Sequence, residues 1–278
     1  MKAAVVLSPG QTPTYHDFAE PLPESDRYRV LSVTAAALSP VVKALASGAH
    51  YANDRAYPLV AGLDGVDDIT AAAIANPGLS SVAALRSRAH LAAGETVLIH
   101  GSTGAAGSLA VILARRLGAQ RVVATGRSAE ALRRLHELGA DVTIALEDPD
   151  AALAALTQEF AAGVDVILDY IYGAPSDMLV SAITNAAKTM RPVRYCVVGG
   201  VGSAGATISS GLLRAAPVTL MGSGIGSVPW PDFLAATAAV LDEAVTGALS
   251  IPTTTVPLAD VTAYWDRADV RTRIVFTP

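Results

Sequence analysis

From Glu95 onward the chain alternates short apolar stretches with helix-length stretches, and this rhythm limits its fold more than any other feature. The pattern predicts strands at 96–100, 121–125, 141–145, 164–169 and 193–198, with helices at 104–117, 129–138, 149–160 and 176–188 between them. Strands that are apolar on both faces need cover on both sides, and strands separated by helices pair in parallel. The fold class that follows is α/β, a doubly wound parallel sheet with right-handed crossovers. At 278 residues, 51% of them hydrophobic, the chain can build one large core-rich domain or two ordinary ones.

The first strand of the series runs into three glycines, Gly101, Gly104 and Gly107, within VLIHGSTGAAGSLAVILARRLGA (97–119). A glycine triplet alone also marks a plain turn. Here it sits between a strand and a helix, the arrangement that binds a pyrophosphate. Gly101 suits a tight turn, Gly104 lets the backbone approach phosphates, and Gly107 lets the helix pack on the strand. Free amide N–H groups and the positive end of the helix dipole supply the attraction. At the end of the next strand, where an NAD site places a carboxylate, stand Thr125, Gly126, Arg127 and Ser128. Arg127 fits a solvated helix start or a 2′-phosphate, and the missing carboxylate favours NADP over NAD.

Other chemistries lack their residues. The five histidines, His16, His50, His90, His100 and His136, show no metal-ligand spacing, and one cysteine, Cys196, cannot build a Cys-rich zinc site. His100, just before the glycines, reads as a strand-end residue beneath the cofactor. No Tyr-x-x-x-Lys pair, G-x-S-x-G elbow or Walker lysine is present. A net charge of −5 gives no basic face for nucleic acid. No apolar run reaches a membrane span, and the amino terminus reads as a strand, not a leader. A single cysteine suits a cytoplasmic location. Outside the alternation, 2–7 and 27–37 read as β. Helices at 70–75 and 79–88 are separated by Asn76-Pro77-Gly78, and strands return at 253–256 and 272–276.

Several stretches together resemble the zinc-independent, quinone-oxidoreductase-like branch of the medium-chain dehydrogenase/reductase superfamily. They are AAALSPVVKALASGAHY (35–51), PLVAGLDGV (58–66), AAAIANPGLSSVAAL (71–85), HGSTGAAG (100–107), VVATGRSAEAL (122–132), VDVILDYIYG (164–173), RYCVVGGVGSAG (194–205) and RTRIVF (271–276). The resemblance implies a Rossmann doubly wound sheet over 93–250 and a GroES-like β-barrel catalytic domain from 1–92 and 251–278. It implies that Gly101, Ser102, Thr103, Gly104, Ala105, Ala106 and Gly107 hold the pyrophosphate of NADPH. Thr125, Gly126, Arg127 and Ser128 would surround the 2′-phosphate, and Tyr170, Gly173, Val198, Gly199 and Gly200 would line the cofactor groove. Tyr51 matches a tyrosine of the active cleft, able to hydrogen-bond or protonate a substrate. Ser39 and Asn76 would be substrate-binding.

One departure stands out. Relatives carry a long stretch between the GLDGV and DDITAAA segments, whereas here Asp67 follows Val66 directly. The barrel is therefore expected to be shortened, with exposed edges. The function implied is an NADPH-dependent, zinc-independent hydride transfer to a quinone or an α,β-unsaturated carbonyl. The alternative is a non-catalytic NADP(H)-binding protein or redox sensor. A homodimer paired through PVTLMG (217–222) is expected if that stretch is a sheet edge and not an internal strand. The glycines of GSGIGS (222–227) fit the nicotinamide end of the cleft or a plain loop.

Overall fold

A computed structural model describes all residues except 24, 54–55, 203–204, 206–207, 209, 248 and 268–271. Parts of two stretches used for the resemblance, 194–205 and 271–276, lie outside the described residues. The chain divides into two compact units, Met1–Asn76 with Leu241–Pro278, and Pro77–Val240.

The chain opens with β1 (Lys2–Val6), β2 (Thr14–Asp17), β3 (Ala36–Ala37), α1 (Pro40–Ser47), β4 (Leu59–Val60) and α2 (Ile69–Ala83). The regular alternation follows: β5 (Thr96–His100), α3 (Ala105–Arg116), β6 (Arg121–Gly126), α4 (Ala129–Glu137), β7 (Val142–Ala145), α5 (Pro149–Ala162), β8 (Val166–Asp169), α6 (Asp177–Ala186), β9 (Val193–Val197), α7 (Ser210–Ala215), β10 (Val218–Gly222) and α8 (Trp230–Val245). β11 (Thr253–Pro257), α9 (Val261–Tyr264) and β12 (Arg273–Thr277) close the chain.

In the second unit six parallel strands lie in the order β10-β9-β8-β5-β6-β7. The chain builds outward from β5 to β7, then returns to the other side of β5 and builds to β10, the doubly wound order of a Rossmann sheet. The direction reverses between β5 and β8, whose last residues, His100 and Asp169, are ladder partners. Successive strand residues face opposite cores. Val97, Ile99, Val122, Ala124, Val166 and Leu168 pack under Ala110, Ala114 and Leu135. Leu98, Val123, Ile167 and Tyr195 pack under Leu156, Phe160, Leu179 and Ile183. β10 pairs only with β9, so PVTLMG ends the sheet as an edge strand.

The first unit holds two three-stranded sheets, β2-β1-β4 and β11-β12-β3. They share one core of Ala4, Val6, Leu38, Val42, Leu59, Val256, Val261, Trp265, Ile274 and Phe276.

Two sequence expectations are corrected. The β-like stretch 27–37 forms a strand only at Ala36–Ala37. Thr34 and Ala35 bond to the Val66 carbonyl at 3.1 and 2.9 Å. Beyond that point the partner chain turns into the Asp67–Asp68 helix entry, so residues 27–33 have no ladder beside them and lie exposed. The second correction is the helix break at Asn76-Pro77-Gly78, which does not occur. Ile69–Ala83 is one helix that passes into a π turn over Ala84–Arg88. Pro77 removes one backbone bond, but its carbonyl accepts from the hydroxyls of Ser80 and Ser81 at 2.8 and 3.1 Å. Gly78 meanwhile leaves room for Val240, whose Cγ1 would lie 2.7 Å from a Cβ there. Burial of Ala72, Ala73, Ile74, Val82 and Leu85 outweighs the local propensity of proline.

Candidate dinucleotide site at the carboxyl edge of the sheet

The strand-to-helix turn after β5 is built by glycines for separate reasons. Gly101 has φ +84°, and a Cβ there would press within 2.7 Å of the Ile171 Cγ1. Gly107 lies in the first turn of α3, where a Cβ would overlap the Gly101 carbonyl and the Ser102 Cα. Gly104 is the opposite case. Its Cβ would meet only the Gly101 carbonyl, at 3.7 Å, so its outer face is open. Gly104 also occupies the N-cap of α3 without a side-chain cap, and the first helical bond runs from the Ser108 N–H to the Gly104 carbonyl at 2.9 Å. The N–H groups of the first turn therefore have no partner within the helix, and they point where the dipole favours an anion. An open backbone cradle at a helix start fits a diphosphate.

The end of β6 fixes this loop. Ser102, fully buried, donates through N–H and hydroxyl to the Thr125 carbonyl at 3.0 and 2.7 Å. The Thr125 hydroxyl accepts from the Gly101 N–H at 3.3 Å and pairs with His100 Nδ1 at 2.8 Å. Gly126 lacks a Cβ because the Thr103 methyl occupies its place. Beyond it, Ser128 caps α4 by accepting from the Ala131 N–H at 3.3 Å. Glu130 is occupied by Arg134 at 3.0 Å. Arg127 is exposed and has no ion pair among the described residues. The guanidinium at this edge is available to an anion from solvent.

The loops after β8 and β9 form the other side. Tyr172 has φ +50° and Gly173 φ +79°. The Val198 and Gly199 N–H groups bond to the Asp169 carbonyl at 2.8 and 3.0 Å, and the Gly202 N–H bonds to the Ile171 carbonyl at 2.8 Å. Gly199 and Gly202 have no space for a Cβ against the carbonyls of Tyr170 and Tyr172. Gly200 is exposed on the same turn. Tyr170 is placed differently from a groove-lining side chain. Its ring is buried, and its hydroxyl pairs with Ser81 at 2.7 Å. Burial drives that phenol well above its ordinary pKa. The Tyr170 carbonyl lies against the Gly199 turn and its Cβ against the Gly101 turn.

Beneath the loops lies a buried polar cluster that the sequence did not single out, made of Asp169, Ser176 and Tyr195 beside His100. His100 is wholly buried, and its Nε2 has no hydrogen-bond partner among the described residues. Burial lowers its pKa, with Asp169 opposing.

In the first unit Ser39 is buried and caps α1 by accepting from the Val42 N–H at 3.2 Å. Tyr51 is 73% exposed and stacks on His50 with centroids 4.2 Å apart. The Asn76 backbone bonds to the Asp64 carboxylate, whose pKa burial raises against the pull of Arg273. Asp64 Oδ2 and Arg273 Nε are both buried without partners among the described residues. Neither was singled out from sequence, although both lie in stretches that carry the family resemblance. Among the described residues no group of three His, Cys, Asp or Glu could hold a metal, and no described helix is long and apolar enough to cross a membrane.

A doubly wound parallel sheet with a glycine turn at its switch point is the architecture of the nucleotide-dependent dehydrogenases. The zinc-binding dehydrogenase family model matches residues 105–241. The "Probable NADPH-dependent quinone reductase tdiC" of Emericella nidulans is 27% identical over 226 residues, 77% of this chain and 62% of that protein's length. The chain thus spans less than two thirds of this curated relative. Among solved structures, the quinone oxidoreductase of Thermus thermophilus, also solved with NADPH, superposes with a TM-score of 0.75 at 22% identity, covering 100% of both chains. The CurK enoyl reductase superposes at 0.69 and 17% identity, covering 98% of both. The chain is thus similar to the zinc-binding dehydrogenases over most of its second unit, and to quinone-oxidoreductase-like proteins over most of its length.

Proposed function

We propose that this protein is an NADPH-dependent oxidoreductase that transfers a hydride, without zinc, to a quinone or to the β-carbon of an α,β-unsaturated carbonyl. The observation that carries this reading is the open helix start at Gly104 beside the unpaired Arg127, one suited to a diphosphate and the other to a 2′-phosphate. The relatives named for NADPH and for quinone or enoyl reduction support it. The nicotinamide supplies the hydride when bound. The second unit holds and orients the dinucleotide. Tyr51 is the proton donor to the enolate or phenolate, and Ser39 and Asn76 are the substrate-binding residues. The lone thiol, Cys196, is pushed up to about 12 by burial, so it stays protonated and is a poor zinc ligand. The same inert thiol fits a cytoplasmic protein. The β10 edge, with Leu220 38% exposed, is the surface on which two copies pair.

A second reading, a non-catalytic NADP(H) sensor, is favoured by the first unit. The Ser39 hydroxyl and the Asn76 N–H are already engaged inside the protein. The test is NADPH oxidation followed by absorbance with simple quinones and enones, next to NADPH titration. Turnover supports the enzyme. Tight binding with no turnover of any acceptor selects the sensor, and no binding removes both.

A further inference from the structure

The most densely bonded side chain at the carboxyl edge of the sheet is one that neither the glycine motif nor the 2′-phosphate site accounts for. Asp169 ends β8 and is completely buried. Its Oδ1 accepts from the N–H groups of Ile171 and Tyr172, both at 2.9 Å. Its Oδ2 accepts from the hydroxyls of Ser176 and Tyr195, both at 2.6 Å. Its main-chain carbonyl accepts from Val198 and Gly199. One residue thus ties together the turn after β8, the start of α6, the middle of β9 and the turn after β9. Four hydrogen bonds replace the water a carboxylate would otherwise need, and no cation pairs with it among the described residues. Burial and the adjacent carboxylate keep the Tyr195 phenol protonated, so it remains a donor.

The strand order says which part of a dinucleotide these turns would meet. The glycine turn follows β5, and Arg127 with Ser128 follows β6 on one side of it. A molecule anchored by its diphosphate at β5 and by its 2′-phosphate at β6 extends its other half across β8 and β9. That half carries the nicotinamide. The turns in its path hold backbone that is costly to keep unaided, Tyr172 at φ +50° followed by Gly173 at φ +79°.

We propose that Asp169 is a positioning residue for the nicotinamide half of the cofactor, which it serves by holding the 171–173 and 198–199 backbone in one shape. This inference rests on the dinucleotide reading above and deepens it. Asp169 does not touch the reacting atoms. It acts through the main chain of the two turns.

The experiment compares binding of NADPH with binding of 2′,5′-ADP, which carries the adenosine and its 2′-phosphate but no nicotinamide. Both are titrated against the wild-type chain, Asp169→Asn and Tyr195→Phe. The wild-type chain is expected to bind both. Asp169→Asn should weaken NADPH at least tenfold and 2′,5′-ADP less than twofold, and Tyr195→Phe should weaken NADPH about threefold with the same selectivity. A residue that merely supports the fold would shift both ligands together. Equal loss of both, or no loss of either, overturns the proposal. Failure of the wild-type chain to bind either ligand overturns the dinucleotide reading instead, and the proposal with it. If Asp169→Asn does not fold, Tyr195→Phe and Ser176→Ala, which keep the carboxylate and two backbone donors, decide by the same split.

Discussion

Two alanine substitutions in one turn separate the part of the glycine motif that holds the fold from the part that faces the ligand. Gly107→Ala brings opposing effects. Alanine in a helix is favoured over glycine by up to about 1 kcal/mol. Against this, the new methyl would overlap the Gly101 carbonyl and sit on the Ser102 Cα, both in a backbone turn that the Gly101 and Ser102 N–H groups tie to Thr125. Neither can swing aside as a side chain would. The cost therefore lies at the upper end of the roughly 1–3 kcal/mol typical of overpacking, and a net loss of about 2 kcal/mol remains. Gly104→Ala meets only one atom, at 3.7 Å, in an extended conformation that alanine adopts freely. Its cost is the weaker N-cap, about 1 kcal/mol or less. The order reverses for binding, because the Gly104 methyl projects into the open face over the helix start. Urea unfolding of both variants, paired with NADPH titration, checks the two halves. A Gly107→Ala variant as stable as the wild type would refute the steric account. A Gly104→Ala variant that binds NADPH unchanged would refute the cradle.

Arg127→Ala should weaken NADPH about tenfold, leave NADH affinity unchanged and leave stability unchanged, since the side chain is exposed and makes no ion pair among the described residues. Isothermal titration with both coenzymes checks it, and an unaltered preference rejects the 2′-phosphate role. Burial holds the His100 pKa below 6.5, so below that value the unfolded chain takes up a proton that the fold refuses. This contribution to stability is whole above 6.5 and is lost as pH falls from there toward the lower folded value. Urea midpoints for the wild type and His100→Asn at about pH 7.5 and about pH 5.5 should show the steeper acid loss in the wild type. Equal losses would mean that His100 protonates in place. Leu31 is 75% exposed in the ladderless stretch, so Leu31→Lys should change stability by less than about 0.5 kcal/mol while reducing aggregation seen by light scattering.

The second unit was legible because its signals are periodic and local. An apolar strand such as Thr96–His100 and the glycines behind it depend on atoms a few residues away, and the sequence displays them together. The caps at Ser39 and Ser128 rest on equally local bonds, but the family resemblance assigns those residues to the substrate and the 2′-phosphate. Asp169 was hidden for the opposite reason. Its importance lies in bonds to Tyr195 and in a ladder opposite His100, which no spacing along the chain reveals. Tyr170 shows a related limit. Its position beside the groove follows from the end of β8, but the direction of its ring depends on Ser81, supplied by a distant helix. At Pro77 a correct local rule met a stronger tertiary term, since a helix buried at Ala72–Ala75 and Ser81–Ala83 keeps its path at the loss of one backbone bond.

The stretch around Val66 bears on the two units unequally, and the reason is topological. Every strand of the parallel sheet draws its neighbours from 77–240, and the backbone bonds described for the glycine turn lie within that range. The first unit pairs residues far apart in sequence, Ala36 with Phe276 and Val5 with Val60, and loses its ladder where the chain turns directly into α2. Cofactor binding and substrate turnover therefore respond separately to this region. Variants at Val66–Asp67 should alter turnover without altering NADPH affinity, whereas variants at Gly104, Arg127 or Asp169 should alter NADPH affinity first.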